Sequence, residues 1–169
     1  MILGLSLSAF TTLHVIISLI GIVTGLVVLA GMLGSHRLGS WTALFLLTTI
    51  LTSATGFLFP SSGFTPAQAL GYLSLLLLAL ALLGLYVFHL TGAWRWIYVI
   101  TAAAALYLNC FVLIVQMFQK LPALHALAPS QSEPPFQIAQ GLLLVAFLVL
   151  GVLAVRRFHP GQGLNAQPA

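Results

Sequence analysis

Charge is almost missing from this chain, and where it occurs it lies mostly at or between the ends of the apolar runs. The 169 residues include five Lys or Arg and a single acidic residue, while 61% are hydrophobic. A water-soluble domain of that composition would lack the polar surface it needs, so the chain reads as one dissolved in lipid. Unpaired backbone groups are not tolerated in hydrocarbon, and runs of about 20 apolar residues are too long for barrel strands, so the expected fold is all-α.

Five spans are predicted, near Leu7–Leu33, Trp41–Phe59, Ala67–Leu90, Ala93–Phe118 and Phe136–Val155. Punctuation separates them. Gly34, Gly39 and Ser40 divide the first two, and Pro60, Ser61, Ser62, Gly63 and Pro66 the next two. Thr91 and Gly92 make a tight third turn, and a proline-rich connection runs from Lys120 to Pro135. Thr65 before Pro66 predicts an N-cap with proline at the first helical position, and Ser40 is a candidate cap for the second span. The first span lacks a basic leader and runs past the usual apolar length of a signal peptide, so it is read as a retained helix. Residues 1–159 form one transmembrane domain in this reading, and 160–169, rich in Gly, Gln and Pro, form a disordered tail.

An odd number of spans puts the termini on opposite sides. Arg37, Arg95, Arg156 and Arg157 gather on one side and Lys120 on the other. Basic residues in short flanking segments mark the cytoplasm, which places the amino terminus outside and the carboxyl terminus inside. Trp41, Trp94 and Trp96 fit the inner aromatic belt, and Phe57, Phe59, Phe64 and Phe136 the outer one. The net charge of +4 follows from this topology; four arginines scattered over separate segments make no nucleic-acid-binding stripe.

Polar residues within spans need partners, because lipid supplies none. At 100° per residue, Thr11, His14, Ser18, Gly21 and Gly25 share one face of the first helix. Ala102, Ala105, Asn109, Gln116 and Lys120 share a face of the fourth. Thr48, Thr52 and Thr55 align on the second, and Gln137, Gln140 and Gly151 on the fifth. The topology brings most of the polar members to the outer half, with almost none in the inner half. The expectation is a periplasm-facing polar pocket beneath the Lys120–Pro135 connection. Its candidate ligand-binding residues are His14, Ser18, Thr52, Asn109, Gln116, Lys120, Glu133 and Gln140, with Glu133 placed to pair with Lys120. The competing explanation is packing: Thr and Ser bond their own i−4 carbonyls, and amides join helices.

Several chemistries find no support. Cys110, the lone cysteine, has no partner for an intramolecular disulfide, and it reads as a small buried apolar residue. There is no HxxxH or CxxC, and one glutamate without aspartate leaves no carboxylate pair for acid/base work. Haem needs two opposed histidines at one depth, which neither His36 with His89 nor His14 with His125 supplies convincingly. Transport would call for internal repeats, broken helices or membrane-buried charge, and none is evident. The leading expectation is binding of a small molecule, lipid, quinone or partner helix, without metal, cofactor or catalysis. A haem-carrying electron-transfer subunit and an oligomeric transporter or channel are the alternatives.

The runs LHVIISLIGIVTGLVVLAG (Leu13–Gly31), WTALFLLTTILTSATGFLFP (Trp41–Pro60), WRWIYVITAAAALYLNCFVLIVQMFQKLPAL (Trp94–Leu124) and APSQSEPPFQIAQG (Ala128–Gly141) resemble an uncharacterised family of small multi-spanning proteobacterial membrane proteins. The resemblance covers nearly the whole chain and implies the bacterial inner membrane, but it transfers no activity, cofactor or site. In size and span count the chain is also similar to small five-helix ligand-binding proteins of the tryptophan-rich sensory type. It lacks their tryptophan- and proline-rich signature, so their sites are not carried over.

Overall fold

The computed structural model describes residues 2, 4–61 and 63–161, and they are helical nearly throughout. The helices are α1 (Leu7–Leu33), α2 (Gly39–Gly56), α3 (Pro66–Leu82), α4 (Trp94–Lys120), α5 (Pro122–Leu127) and α6 (Pro134–Arg157). No named strand occurs among the described residues; an isolated bridge joins Ile2 and Leu5. Of the expected tail, everything after Gly161 lies outside the described residues.

Local chemistry explains the helix ends. The Ser6 hydroxyl accepts from Ala9 N at 3.2 Å and opens α1, a cap the sequence reading did not include. The expected cap of α3 is present in full: Gln68 N donates to Thr65 Oγ1, Thr65 N donates to Gln68 Oε1, and Pro66 occupies the first turn. This reciprocal pair satisfies two orphan N–H groups. Ser40 does not cap α2. That helix begins one residue earlier, at Gly39, with Leu38 at the cap position and no side-chain bond. The Lys120–Pro135 connection contains the short α5, which Pro122 starts.

Among the described residues, four helical segments are long and apolar enough to cross a membrane: Leu7–Leu33, Pro66–Val87, Trp94–Lys120 and Pro134–Arg157. The second of these runs through α3 into a π-helical turn at Leu83–Val87. There Phe88 N donates to Leu83 O at 2.9 Å. The wider turn brings Gly84 against α4, where an added Cβ would stand 3.1 Å from Trp94 O. The remaining expected span, α2, is a helix of 18 residues. It is the more polar one because it carries five threonines, Thr42, Thr48, Thr49, Thr52 and Thr55.

At the centre of the bundle, α4 packs on α3, α6 and α1, while α1 and α2 form the most extensive helix pair. Small residues permit this. Ala102, Ala105 and Leu106 of α4 are buried against a core that includes Phe45, Leu46, Leu78 and Val99. Gly25 of α1 is the tightest approach: a Cβ there would fall 2.5 Å from Leu106 Cδ1 and 2.8 Å from the Phe45 ring. Close-packed small residues are the usual route by which helices associate in lipid, where no hydrophobic force drives them together.

Candidate functional site

Two turns into α1, His14 reaches across to α2. Its Nδ1 lies 2.8 Å from Thr55 Oγ1. The Thr55 hydroxyl already donates to Leu51 O at 2.7 Å, so the hydrogen between the two side chains belongs to His14 Nδ1–H. In the neutral form of the ring Nε2 is then left as an acceptor. Phe59 stands edge-on to the imidazole at 5.2 Å and also packs on Phe10 at 5.1 Å. One turn farther along α1, Ser18 Oγ donates to His14 O at 2.7 Å. That bond satisfies the hydroxyl within its own helix.

One more turn along, at Gly21, three helices meet. A Cβ at Gly21 would be 3.2 Å from each of Asn109 Nδ2, Thr48 Oγ1 and Thr49 Oγ1. Both threonine hydroxyls donate to carbonyls of α2, Thr48 to Leu44 O and Thr49 to Phe45 O. Asn109 Nδ2 has no such outlet: it is buried and makes no hydrogen bond. Gln140 of α6 is half satisfied. Its Nε2 donates to Phe111 O at 3.2 Å, while Oε1 is buried without a partner. Such atoms are uncommon in folded proteins, because each gives up its solvation without compensation.

The structure thus joins His14, Ser18 and Thr55 in one network, gathers Asn109 with Thr48 and Thr49 around Gly21, and seats Gln140 on α4. Other expected members stand apart. Thr52 is turned to its own helix, donating to Thr48 O at 2.9 Å. Gln116 is half-buried, and Lys120 is exposed at the last turn of α4. Glu133 is bound by serines in place of Lys120: Oε1 accepts from Ser130 Oγ at 2.8 Å and Ser130 N at 3.1 Å, and Oε2 accepts from Ser132 N at 3.1 Å. The Ser130 hydroxyl, helped by these backbone donors, holds the carboxyl below its ordinary range. A loop carboxylate with three local donors needs no distant cation.

The arginine-bearing half is less bare of polar groups than expected. Thr24, Thr42 and Thr101 are buried there. Thr24 and Thr101 donate to their own helix carbonyls, Ile20 O and Ile97 O. Such intrahelical bonding lets a threonine hide in an apolar layer at little cost, so hydropathy underestimates how many are inside.

Two half-open cavities lie away from the connection that follows Lys120. One, of about 400 Å³, is an apolar groove between α4 and α6 walled by Tyr107, Phe147, Ala103, Ala104 and Gly151, with Arg156 at its end. The other, of about 310 Å³, opens at the arginine end beside Arg37, His89 and Arg95. Arg95 was legible as an anomaly. A cation in the first turn of a helix opposes the helix dipole, so it must find compensation elsewhere. It does so on α6, where Nη1 donates to Val155 O at 2.9 Å and Phe158 O at 2.7 Å. The groove had no comparable signature, since its walls are ordinary apolar residues.

Among the described residues, no three His, Cys, Asp or Glu side chains come together in a metal-binding group. Cys110 is free and buried. The chain matches no family model, no curated protein and no solved structure.

Proposed function

We propose that this protein is a bacterial inner-membrane protein that binds a small amphiphile of lipid or quinone type through the polar layer shared by α1, α2, α4 and α6, with no catalysis of its own. The observation that carries the reading is the pair of buried, unpartnered atoms, Asn109 Nδ2 and Gln140 Oε1. One is a donor and the other an acceptor, as the head of such a molecule requires. Two turns nearer the start of α1, His14 adds a further acceptor, since in the neutral ring Nε2 is free once Nδ1 serves Thr55. In hydrocarbon an unsatisfied polar group is costly, so a ligand that meets it gains more than it would from water. The apolar groove between α4 and α6 offers a course for the hydrophobic portion. In this reading all five long helices span the bilayer, the arginine end lies in the cytoplasm, and the polar layer lies toward the periplasm.

The test is solvent extraction of protein purified in mild detergent, with mass spectrometry of the small molecules that accompany it. A defined lipid or quinone should accompany the wild type and be lost from Asn109→Leu and Gln140→Leu. Equal recovery from wild type and both variants, together with a higher unfolding midpoint in the variants, would mark the two amides as strained packing groups and end the proposal.

A further inference from the structure

The opposite end of the bundle carries a second, separate feature. Here the chain folds three segments toward one another and fixes each in place. The turn after α1 holds Ser35 at φ 59°, and Ser35 Oγ accepts from His159 N at 2.9 Å. The turn after the π segment places His89 and Leu90 in left-handed conformation, at φ 50° and 61°. Leu90 N donates to Gly84 O at 2.8 Å, and Phe88 stacks on Trp94 at 4.0 Å and 6°. The segment after α6 is held by Arg95 through the carbonyls of Val155 and Phe158. Phe158 is buried and lies 6.0 Å from the Tyr98 ring.

Between these segments opens the cavity of about 310 Å³, lined by Arg37, His89, Leu90, Arg95, Pro160 and Gly161. Its titratable lining is wholly basic. The sole acidic side chain of the chain, Glu133, is held by Ser130 and Ser132 at the far end, so it does not neutralise this one. Arg156 and Arg157, in the last turn of α6, add to the same field. Left-handed backbone at two consecutive non-glycine residues is costly, and it persists where surrounding structure fixes it. Here it belongs to the turn that brings His89 and Leu90 into the lining of the cavity with Arg37 and Arg95.

We infer that this cavity is a binding site for a phosphate-bearing anion, held by Arg37, Arg95 and a ring N–H of His89. Guanidinium groups match the oxygen geometry of phosphate, and a low-dielectric wall such as Leu90 strengthens the attraction. The site lies at the ends of apolar helices beside Trp94, at the level where phospholipid headgroups stand. It is separate from the polar layer, whose Gly21 and Asn109 lie near the middle of α1 and α4 and whose Gln140 lies nearer the end of α6 remote from the cavity.

Two sources supply this chemistry, a lipid headgroup and free phosphate, and one experiment separates them. Full-length protein stripped of lipid in neutral detergent is titrated with phosphatidylglycerol, phosphatidylcholine or inorganic phosphate, with bound species counted by native mass spectrometry. Arg37→Gln and His89→Gln are the informative variants, because Arg95 also fixes α6. Phosphatidylglycerol should bind well above phosphatidylcholine, and Arg37→Gln should weaken it about fivefold, the effect of one basic residue near an anionic surface. The unliganded unfolding midpoint should not change. Saturable binding of inorganic phosphate that competes with phosphatidylglycerol and weakens in the same variants assigns the site to the free anion. Lipid binding that ignores headgroup charge, or that survives both substitutions, would overturn the inference. Should Arg37→Gln not fold, His89→Gln carries the comparison alone.

Discussion

Helices α4 and α6 are both strongly apolar and of similar length, yet the first is half buried in its most apolar stretch and the second hardly at all. The difference lies in side-chain size. On α4, Thr101, Ala102, Ala103 and Ala105 let neighbouring backbones approach, and every one of them is buried. On α6, Ile138, Leu142, Val145, Leu148, Val149 and Val152 project outward. In water that surface would collapse or aggregate, whereas acyl chains solvate it without penalty. Hydropathy therefore measures solubility in the bilayer and says little about position in the bundle. Packing decides position, and packing follows small residues.

This contrast is open to direct attack. The largest effect should come from truncating matched leucines: Leu106→Ala, which opens a cavity in the core, should cost about 2–5 kcal/mol. Leu148→Ala on the outer face of α6 should fall within about 0.5 kcal/mol of wild type. Reversible unfolding in mixed micelles measures both, and equal losses would show α6 to be packed against something. A smaller effect should come from glycine. Gly25→Ala forces a methyl group against the Phe45 ring and Leu106, an overpacking expected to cost about 1–3 kcal/mol. Gly151→Ala meets nothing within 4 Å and should be neutral or slightly stabilising by the same measurement. Should Gly25→Ala prove neutral, the tight crossing of α1 with α2 and α4 would be wrong.

The smallest effect concerns the connection between α4 and α6. Because Glu133 titrates below its ordinary value of 4.5 in the folded chain, its contribution to loop order is fully present above that value. It fades as pH falls through the lower, folded one. Amide exchange at Ser130 and Ser132, corrected for intrinsic rates, should lose protection over that acidic window, and Glu133→Gln should lose it at every pH. A response that instead required Lys120 would restore the ion pair that the serine contacts replace.

Much of the bundle could be read from the residues in order. Long apolar runs, their proline and glycine breaks, and the Thr65-Pro66 cap mark helices whose observed ends lie within a few residues of expectation. These are local or compositional signals, and each acts over one or two turns. The stripe from His14 through Gly25 was equally legible, since helical periodicity alone puts those residues on one face. Its partners were not. Periodicity gives the face but leaves its rotation about the bundle undetermined, so it cannot say that Asn109 would meet Gly21 or that His14 would meet Thr55. The same limit explains Glu133. Charge suggested Lys120, but three nearby donors within the loop were closer and cost less to order.

What the sequence determined by itself is the solvent and the elements: a chain with so little charge must fold in lipid, and apolar runs of this length, too long for barrel strands, must cross lipid as helices. What only the tertiary structure decided is which faces touch. It put α4 at the centre and α6 at the rim, widened the end of α3 by a π turn, clamped Arg95 onto the end of α6, and left Asn109 and Gln140 each with one buried atom unpaired. The physical reason is that solubility in hydrocarbon sums over single residues. Close packing depends on the joint shapes of residues far apart in the chain.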